Sequence, residues 1–465
     1  MKTFECPFSY YGRKNPTLIA LALPEKSWNY EECNHVIENF CYALTKEGVK
    51  PGDAVAFIPT LSFPTPLLFF ALFRLRAIAC PINTYFPLSQ LTQTLSALTA
   101  IFFLFPDETK EKIPSIEVPS LSFSSLLNMK GKATFAPTCL NKDIPATYLF
   151  TSGTSSIPKV ACHSIGNHYY SALGSNAYLP LKQGDRWLLS LPLYHVAGIA
   201  LLFRTFLAGS AVSLPITKAH DAAEILQSKA THVSFVPTQL KRLLEMTSHE
   251  DFLKLNLQLK AILLGGATVS PSLYQEGCEK GLPVYPSYGM TEMSSQICTQ
   301  FLSGSPSFSL GHPLPYREIS IDEKKEIHVR GKTLFLGYLK GKNSYDLPLD
   351  SEGWFATGDL GMYSPKKGLF HIGRKDRLFI SGGENIYPEE IEHHLKLIEG
   401  MIDVRIEPVE DLEFGKRPVA YVQSEKPFHE DILKEYLGTV LPKFKVPIAF
   451  YPLKNSKSKF SEVQD

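Results

Sequence analysis

Short apolar runs recur along this chain, and each runs into a cluster of small or polar residues. Tyr148-Leu149-Phe150 leads into Thr151-Ser152-Gly153, and Trp187 to Leu191 into Pro192-Leu193-Tyr194-His195. Further on, Ala261 to Leu264 leads into Gly265-Gly266-Ala267, and Val284-Tyr285 into Ser287-Tyr288-Gly289. Unbroken apolar runs separated by helical stretches are the pattern of strands buried on both faces, which predicts an α/β fold of packed sheets. Ligands bind beyond the carboxyl ends of such strands, where these polar clusters fall. The segment Gly198 to Leu207 reads as a buried helix that carries a single charge, Arg204. A charge in that setting demands a partner, which is either an acid of the same domain or a bound anion. Another dense apolar run, Leu67 to Phe73, ends at Arg74, well short of the ~20 residues a membrane span needs.

The pattern changes toward the C-terminus. Of the 89 residues 377–465, 28 are Lys, Arg, Asp or Glu, against 65 of the preceding 376. Tyr387-Pro388-Glu389-Glu390-Ile391-Glu392 has proline at a first helical position with acids in the first turn, and with the alternation of Val419-Ala420-Tyr421-Val422 it favours a folded unit over a solvated helical tail. A large, apolar-rich body followed by a small, highly charged folded domain is expected.

Composition narrows the function. Lys+Arg 47 against Asp+Glu 46 gives a net charge of +1, without the basic excess that drives nucleic-acid binding. The eight cysteines are scattered and no two form a C-x-x-C, which argues against a disulfide framework or zinc ribbon. Met1 to Tyr10 has no basic segment followed by an apolar one, so no signal peptide is read and a cytoplasmic location is expected. No feature sets the oligomeric state, a homo-oligomer included.

The candidate chemistry lies in ordered clusters. Thr151-Ser152-Gly153-Thr154-Ser155-Ser156-Ile157-Pro158-Lys159 combines hydroxyls, a glycine and a lysine after a strand, which suits a polyphosphate. It is not a Walker loop, because Pro158 and Val160 stand where that motif needs Gly and Ser/Thr. Tyr288-Gly289-Met290-Thr291-Glu292 offers an aromatic to stack, a hydroxyl for phosphate and a carboxylate for Mg²⁺. Thr357-Gly358-Asp359 and Gly373-Arg374-Lys375-Asp376 follow, then Ser381-Gly382-Gly383-Glu384-Asn385. Each alone is an ordinary turn.

In this order they resemble the adenylate-forming superfamily of acyl-CoA synthetases, adenylation domains and luciferases, over nearly the whole chain. The resemblance implies that Thr151, Ser152, Gly153, Thr154, Ser155 and Lys159 hold the β- and γ-phosphates of ATP. It implies that Gly265, Gly266, Ala267 and Tyr288 form the adenine slot, that Thr291 contacts the α-phosphate and that Glu292 binds Mg²⁺. Asp359 and Arg374 would hold the ribose, and Gly382 and Gly383 would line the tunnel for the pantetheine arm of coenzyme A. The resemblance also implies a large domain of packed α/β sheets over 1–375 and a small mobile α+β domain over 376–465, with its hinge at Asp376. Lys454-Asn455-Ser456-Lys457-Ser458-Lys459 matches the family's terminal motif and puts the catalytic cation at Lys459. The chain departs from the family pattern at Ser156 and Ser458, both of which replace glycine.

Within the superfamily, Asp185 to Val196, His232 to Leu240, Ile380 to Ile386 and Glu413 to Ala420 look most like the o-succinylbenzoate–CoA ligases of menaquinone biosynthesis. That group activates an aromatic dicarboxylate, whose second carboxylate needs a cation or strong donors in an apolar pocket. Arg204 is the candidate cation, with His195 as a pocket wall and Gln239 as a further substrate contact. The same motifs also suit another aryl- or acyl-CoA ligase, a stand-alone adenylation protein, or a nucleotide-binding homologue with weakened catalysis.

Overall fold

The computed structural model describes residues 1–131, 138–151, 159–179, 181–217, 221–301 and 308–453. They fall into two compact units. The first takes Met1–Ile319 and Val329–Phe355, and the second takes Ser320–His328 and the chain from Ala356 on.

Two large sheets form the first unit, and the apolar runs become their strands as predicted. In one sheet Pro145–Phe150, Ile78–Pro81, Ala54–Phe57, Ala100–Phe105 and Ser120–Ser122 lie parallel. Val160–Ser164, Gly337–Gly341 and Ser344–Asp346 extend it with antiparallel pairings. The other sheet has a parallel run of Ile19–Ala22, Ala211–Ser213, Arg186–Leu188, His232–Phe235, Ala261–Leu264 and Val284–Met290, continued antiparallel by Ser295–Thr299. The polar clusters after Leu264 and within Val284–Met290 therefore sit on adjacent strands of one sheet, with Leu264 opposite Pro286.

The apolar run at Leu67–Phe73 is a core helix, Thr65–Arg74, buried at all ten positions. A helix apolar all round must be covered on every side. Its Phe70 meets Phe203 and Phe206 of the helix Val196–Leu207 at 5.6 and 5.4 Å between ring centroids. Pairs of this kind add about 0.5–1.5 kcal/mol beyond their burial. Arg74 is buried as well, and its Nη1 donates to Asn34 Oδ1 at 3.0 Å. Gly198 lets the Val196–Leu207 helix seat against the preceding turn, since a Cβ there would lie 2.3 Å from the Pro192 carbonyl oxygen. The cysteines are all free thiols. Among the described residues no helix is long and apolar enough to cross a membrane.

The second unit has its own core. Met401–Asp411 pairs antiparallel with Gly415–Ser424, which pairs parallel with Phe450–Pro452. The helices Pro388–Lys396 and Glu430–Val440 contribute Ile391, Leu395, Leu433 and Leu437 to a cluster with Ile406 and Val422. Pro388 opens its helix, as the sequence predicts. Asp376 lies inside this unit, downstream of Ala356 where the chain enters it.

Candidate functional site

In the first unit the site is built around the turn that follows Val284–Met290. Strand pairing shifts register between Tyr288 and Gly289, and a Cβ at Gly289 would lie 2.1 Å from the Ser295 carbonyl oxygen. Only glycine allows that approach. The chain then makes one 3₁₀ turn, Thr291–Met293, and reverses at Ser294 with φ 56°. Several groups fix this turn. The buried His163 ring donates from Nε2 to the Thr291 carbonyl at 2.7 Å, Phe335 N–H donates to the Glu292 carbonyl at 2.8 Å, and Ser294 Oγ donates to the Thr333 carbonyl at 2.9 Å. The Glu292 carboxylate is 8% exposed, and its Oε1 accepts the Tyr338 hydroxyl at 2.7 Å. Burial pushes the His163 imidazole down to about 4, so it is neutral and offers one ring N–H, here on Nε2. Its Nδ1 lies 3.4 Å from Thr147 Oγ1, which in turn lies 2.9 Å from Nε2 of His168.

The strand that carries His163 begins just after the phosphate-loop motif. Thr151 N–H donates to the Lys159 carbonyl at 2.8 Å and closes the neck of that loop. Ser152, Gly153, Thr154 and Ser155 lie outside the described residues. Lys159 is exposed, with its Nζ 4.8 Å from the centroid of the Tyr338 ring. One strand thus brings Lys159 and His163 together with Thr291, Glu292 and Tyr338.

Gly265, Gly266 and Ala267 follow the strand Ala261–Leu264. A Cβ on Gly265 would meet Ser287 Oγ at 2.6 Å, and Gly266 has φ +79°. Gly265 keeps the backbone close to the neighbouring strand, which carries the buried Tyr288, and Gly266 faces Val236. A hard oxygen donor such as the Glu292 carboxylate suits Mg²⁺, and the Thr291 hydroxyl beside it suits phosphate.

The residues expected to hold the acid are differently placed. His195 is exposed at the N-terminus of the helix Val196–Leu207. Gln239 accepts the Val236 N–H at 3.0 Å through Oε1, so its amide oxygen caps the helix Pro237–Met246. Arg204 is 1% exposed; Nη2 donates to Ser295 Oγ at 3.1 Å and Nε has no partner. Among the described residues it makes no ion pair with an acid. Burial, with the charge of Arg317, pushes it down to about 9, so it stays protonated at neutral pH. The Arg317 side chain runs past Gly174 and donates from Nη2 to the Ser171 carbonyl at 3.2 Å.

In the second unit Asp359 and Arg374 are paired, with Nη1 to Oδ1 at 2.9 Å. The guanidinium also donates from Nε to Asp376 Oδ1 at 3.2 Å and from Nη1 to the Thr357 carbonyl at 3.2 Å. Burial works against its charge, but the hydrogen bonds and charges of Asp376 and Asp359 outweigh it and raise its pKa. Gly382 and Gly383 make the two-residue turn of the hairpin Phe379–Ser381 and Glu384–Ile386, with φ +56° and +86°. Lys459, together with Lys454, Lys457 and Ser458, lies outside the described residues.

Sequence reasoning missed His163, His168, Arg317 and Tyr338. His163 left a trace: it is the ring in an otherwise small and apolar stretch, Val160-Ala161-Cys162-His163, right after the loop. Tyr338 gave no such sign, because the pairing of Gly337–Gly341 with Val160–Ser164 is what brings it to Glu292.

Known proteins match this chain along most of its length. The model of the AMP-binding enzyme family matches residues 8–339. The 2-succinylbenzoate–CoA ligase of Escherichia coli (strain K12) is 33% identical over 451 residues, covering 96% of this chain and 93% of that one. Its counterpart from Bacillus subtilis (strain 168) is 31% identical over 457 residues, covering 94% and 92%. Among solved structures, the o-succinylbenzoate CoA synthetase (MenE) of Bacillus subtilis in complex with the acyl-adenylate intermediate OSB-AMP superimposes with a TM-score of 0.86 at 29% identity, covering 97% of this chain and 95% of that one. The same enzyme in complex with ATP and magnesium ion gives 0.86 at 29% identity, covering 97% and 96%. With the glycine-dependent turn at Thr291–Glu292, the paired Asp359 and Arg374, and this similarity, the chain belongs to the family of AMP-binding enzymes.

Proposed function

We propose that this protein ligates 2-succinylbenzoate to coenzyme A in two steps that share one acyl adenylate. In the first, a carboxylate oxygen of the acid attacks the α-phosphorus of ATP, and the bond to the bridging oxygen breaks with release of pyrophosphate. In the second, the sulfur of the coenzyme A thiol attacks the acyl carbonyl, loses its proton, and AMP leaves as the thioester forms. The nucleophile of the first step is already ionised, so no side chain has to deprotonate it.

The observation that carries the choice of acid is Arg204. A buried guanidinium that pairs with no acid among the described residues and leaves its Nε unpartnered suits the second carboxylate of a dicarboxylic acid, and a monocarboxylate has no use for it. The near full-length similarity to 2-succinylbenzoate–CoA ligases supports the same substrate. In this reading His195 stands at the mouth of the acid pocket and Gln239 contributes through its free amide N–H₂.

The remaining roles follow the motif resemblance. Lys159 and the loop of Thr151, Ser152, Gly153, Thr154 and Ser155 hold the β- and γ-phosphates. Thr291 donates to the α-phosphate, Glu292 holds Mg²⁺, and Gly265, Gly266, Ala267 and Tyr288 receive adenine. Asp359, aligned by Arg374, accepts the ribose hydroxyls. Mg²⁺ neutralises phosphate charge when bound, and Lys459 supplies a mobile cation as negative charge moves onto the leaving group. Residues 376–465 turn about Asp376 between the two steps, and Gly382 and Gly383 leave room for the pantetheine arm.

The experiment is a panel of acids with ATP, Mg²⁺ and coenzyme A, following AMP and thioester. 2-Succinylbenzoate is expected to be turned over with the highest kcat/KM. Faster turnover of benzoate or medium-chain fatty acids would reject the acid while leaving the ligase reaction in place.

A further inference from the structure

Tyr338 touches two groups of opposite charge at once. Its hydroxyl donates to Glu292 Oε1 at 2.7 Å, and Lys159 Nζ lies over its ring at 4.8 Å from the centroid. Phe335 holds the ring from its edge, with centroids 4.9 Å apart and an interplanar angle of 77°. The backbone N–H of Phe335 also holds the Glu292 carbonyl. The strand Gly337–Gly341 is itself fixed to the lysine's strand, with Tyr338 opposite Ala161 and Gly337 opposite Cys162. Among the described residues no ion pair joins Lys159 to Glu292.

This arrangement has a physical consequence. A phenol that donates its proton to a carboxylate gains electron density on the ring, and a cation over the ring face is attracted by that density. The two contacts therefore reinforce each other through one side chain. The ring also stands as a spacer. Were it absent, a lysine and a glutamate this close would be free to meet directly, and the ion pair would neutralise both the cation meant for phosphate and the carboxylate meant for the metal.

We infer that Tyr338 is a positioning residue that ties Lys159 to Glu292 and keeps them apart, so that the phosphate-binding cation and the metal-binding carboxylate are presented together to Mg-ATP. The inference rests on the roles proposed above for Lys159 and Glu292.

The test uses the whole chain and measures ATP binding by calorimetry, with and without Mg²⁺, alongside KM and kcat. Tyr338→Phe keeps the ring and removes the donor. It is expected to raise the Mg²⁺ concentration for half-maximal ATP binding by roughly tenfold or more, the effect of one hydrogen bond to a charged group, while metal-free ATP binding changes less than twofold. Tyr338→Leu removes ring and donor and is expected to weaken ATP binding about tenfold in both conditions. If the Leu variant fails to fold, the Phe variant carries the test alone. Glu292→Gln and Lys159→Ala serve as controls. If both controls are impaired and Tyr338→Phe has wild-type Mg²⁺ dependence, the inference is overturned and the assignment of the two residues stands. If both controls bind Mg-ATP as the wild type does, the assignment falls and takes the inference with it.

Discussion

Arg204 Nη2 donates to the Ser295 hydroxyl at 3.1 Å, and that neutral hydroxyl is the hydrogen-bond acceptor for a guanidinium that is 1% exposed. Among the described residues no acid offsets the charge, and the cation–π contact with Trp187 is a weaker compensation. The Trp187 ring lies 5.7 Å from its Cζ, and Arg317 adds a like charge. In the proposed function the second carboxylate of the acid supplies the countercharge that no acid among the described residues provides.

Arg204→Leu is therefore expected to raise KM for the dicarboxylate by about tenfold or more, corresponding to roughly 1.5–3 kcal/mol of a charged hydrogen bond. Thermal stability should hold or rise, because the substitution removes a buried charge that no acid offsets. An unchanged KM with a clear drop in melting temperature would assign Arg204 to the core instead.

The turn at Gly289 offers a test of how the fold presents Thr291 and Glu292. A Cβ there would lie 2.1 Å from a backbone oxygen, which cannot swing aside as a side chain does. Gly289→Ala is expected to cost about 1–3 kcal/mol of stability, by forcing Ser295 away from the strand. Nucleotide binding should fall by more than the stability loss predicts, since Thr291–Met293 moves with it. Equal ATP affinity in a folded variant would show that the turn tolerates the shift.

Much of this was legible in the sequence, for a physical reason. Runs such as Ala261 to Leu264 are apolar because they are central strands, and the glycines after them are needed by backbone geometry, so both leave a mark in composition. The helix Val196–Leu207 was legible for the same reason, down to its single buried charge. The contacts that hold Thr291 and Glu292 were not. His163 is 128 residues from Thr291, and Tyr338 is 46 from Glu292. Such pairs are set by which strands become neighbours, and no local periodicity encodes that. Gln239 held a second surprise: its amide oxygen caps its own helix, a role the segment's sequence did not announce.

Acid should destabilise the protein through its buried histidines. His232 packs against Trp187 at 5.2 Å, and burial pushes it down to about 4, with Asp185 opposing the shift and Lys260 adding to it. Unfolded, the same ring titrates near 6.5, so between about pH 6.5 and 4 the unfolded chain binds the extra proton. Stability is then full above pH 6.5 and is lost as pH falls toward 4, by up to a few kcal/mol for such a group. Thermal melts across that range should show a shallower acid slope for His232→Phe than for the wild type. Parallel slopes would mean that His232 does not contribute.

The role proposed for Lys459 separates the two half-reactions by chemistry. Lys459→Ala is expected to slow adenylate formation by ~10²–10³, the loss typical of one donor to developing charge. Thioester formation from pre-made adenylate should persist, since that step needs no cation at the leaving pyrophosphate. Equal loss in both steps would reject the role. A larger effect from Lys457→Ala would move the catalytic cation two residues upstream.

The hinge is tested by the backbone at Asp376. Its carboxylate accepts from Arg374 Nε at 3.2 Å, and the next N–H, of Arg377, donates back to the Arg374 carbonyl at 3.2 Å, so a tight turn follows the strand that ends at Arg374. If residues beyond it rotate between the two steps, this turn must take two backbone conformations. Proline fixes φ near −65° and removes the N–H, which leaves room for one of them. Asp376→Pro should then retain one half-reaction, adenylation, and slow transfer to coenzyme A severely. Loss of the Arg374 contact alone would act on ribose binding and show in both steps, and Asp376→Ala isolates that part. The ratio of the two half-reaction rates in the Pro variant, set against the Ala variant, is the deciding quantity. A Pro variant that completes both steps at wild-type rates would place the pivot elsewhere, and the entry of the chain into its second unit at Ala356 is the next place to look.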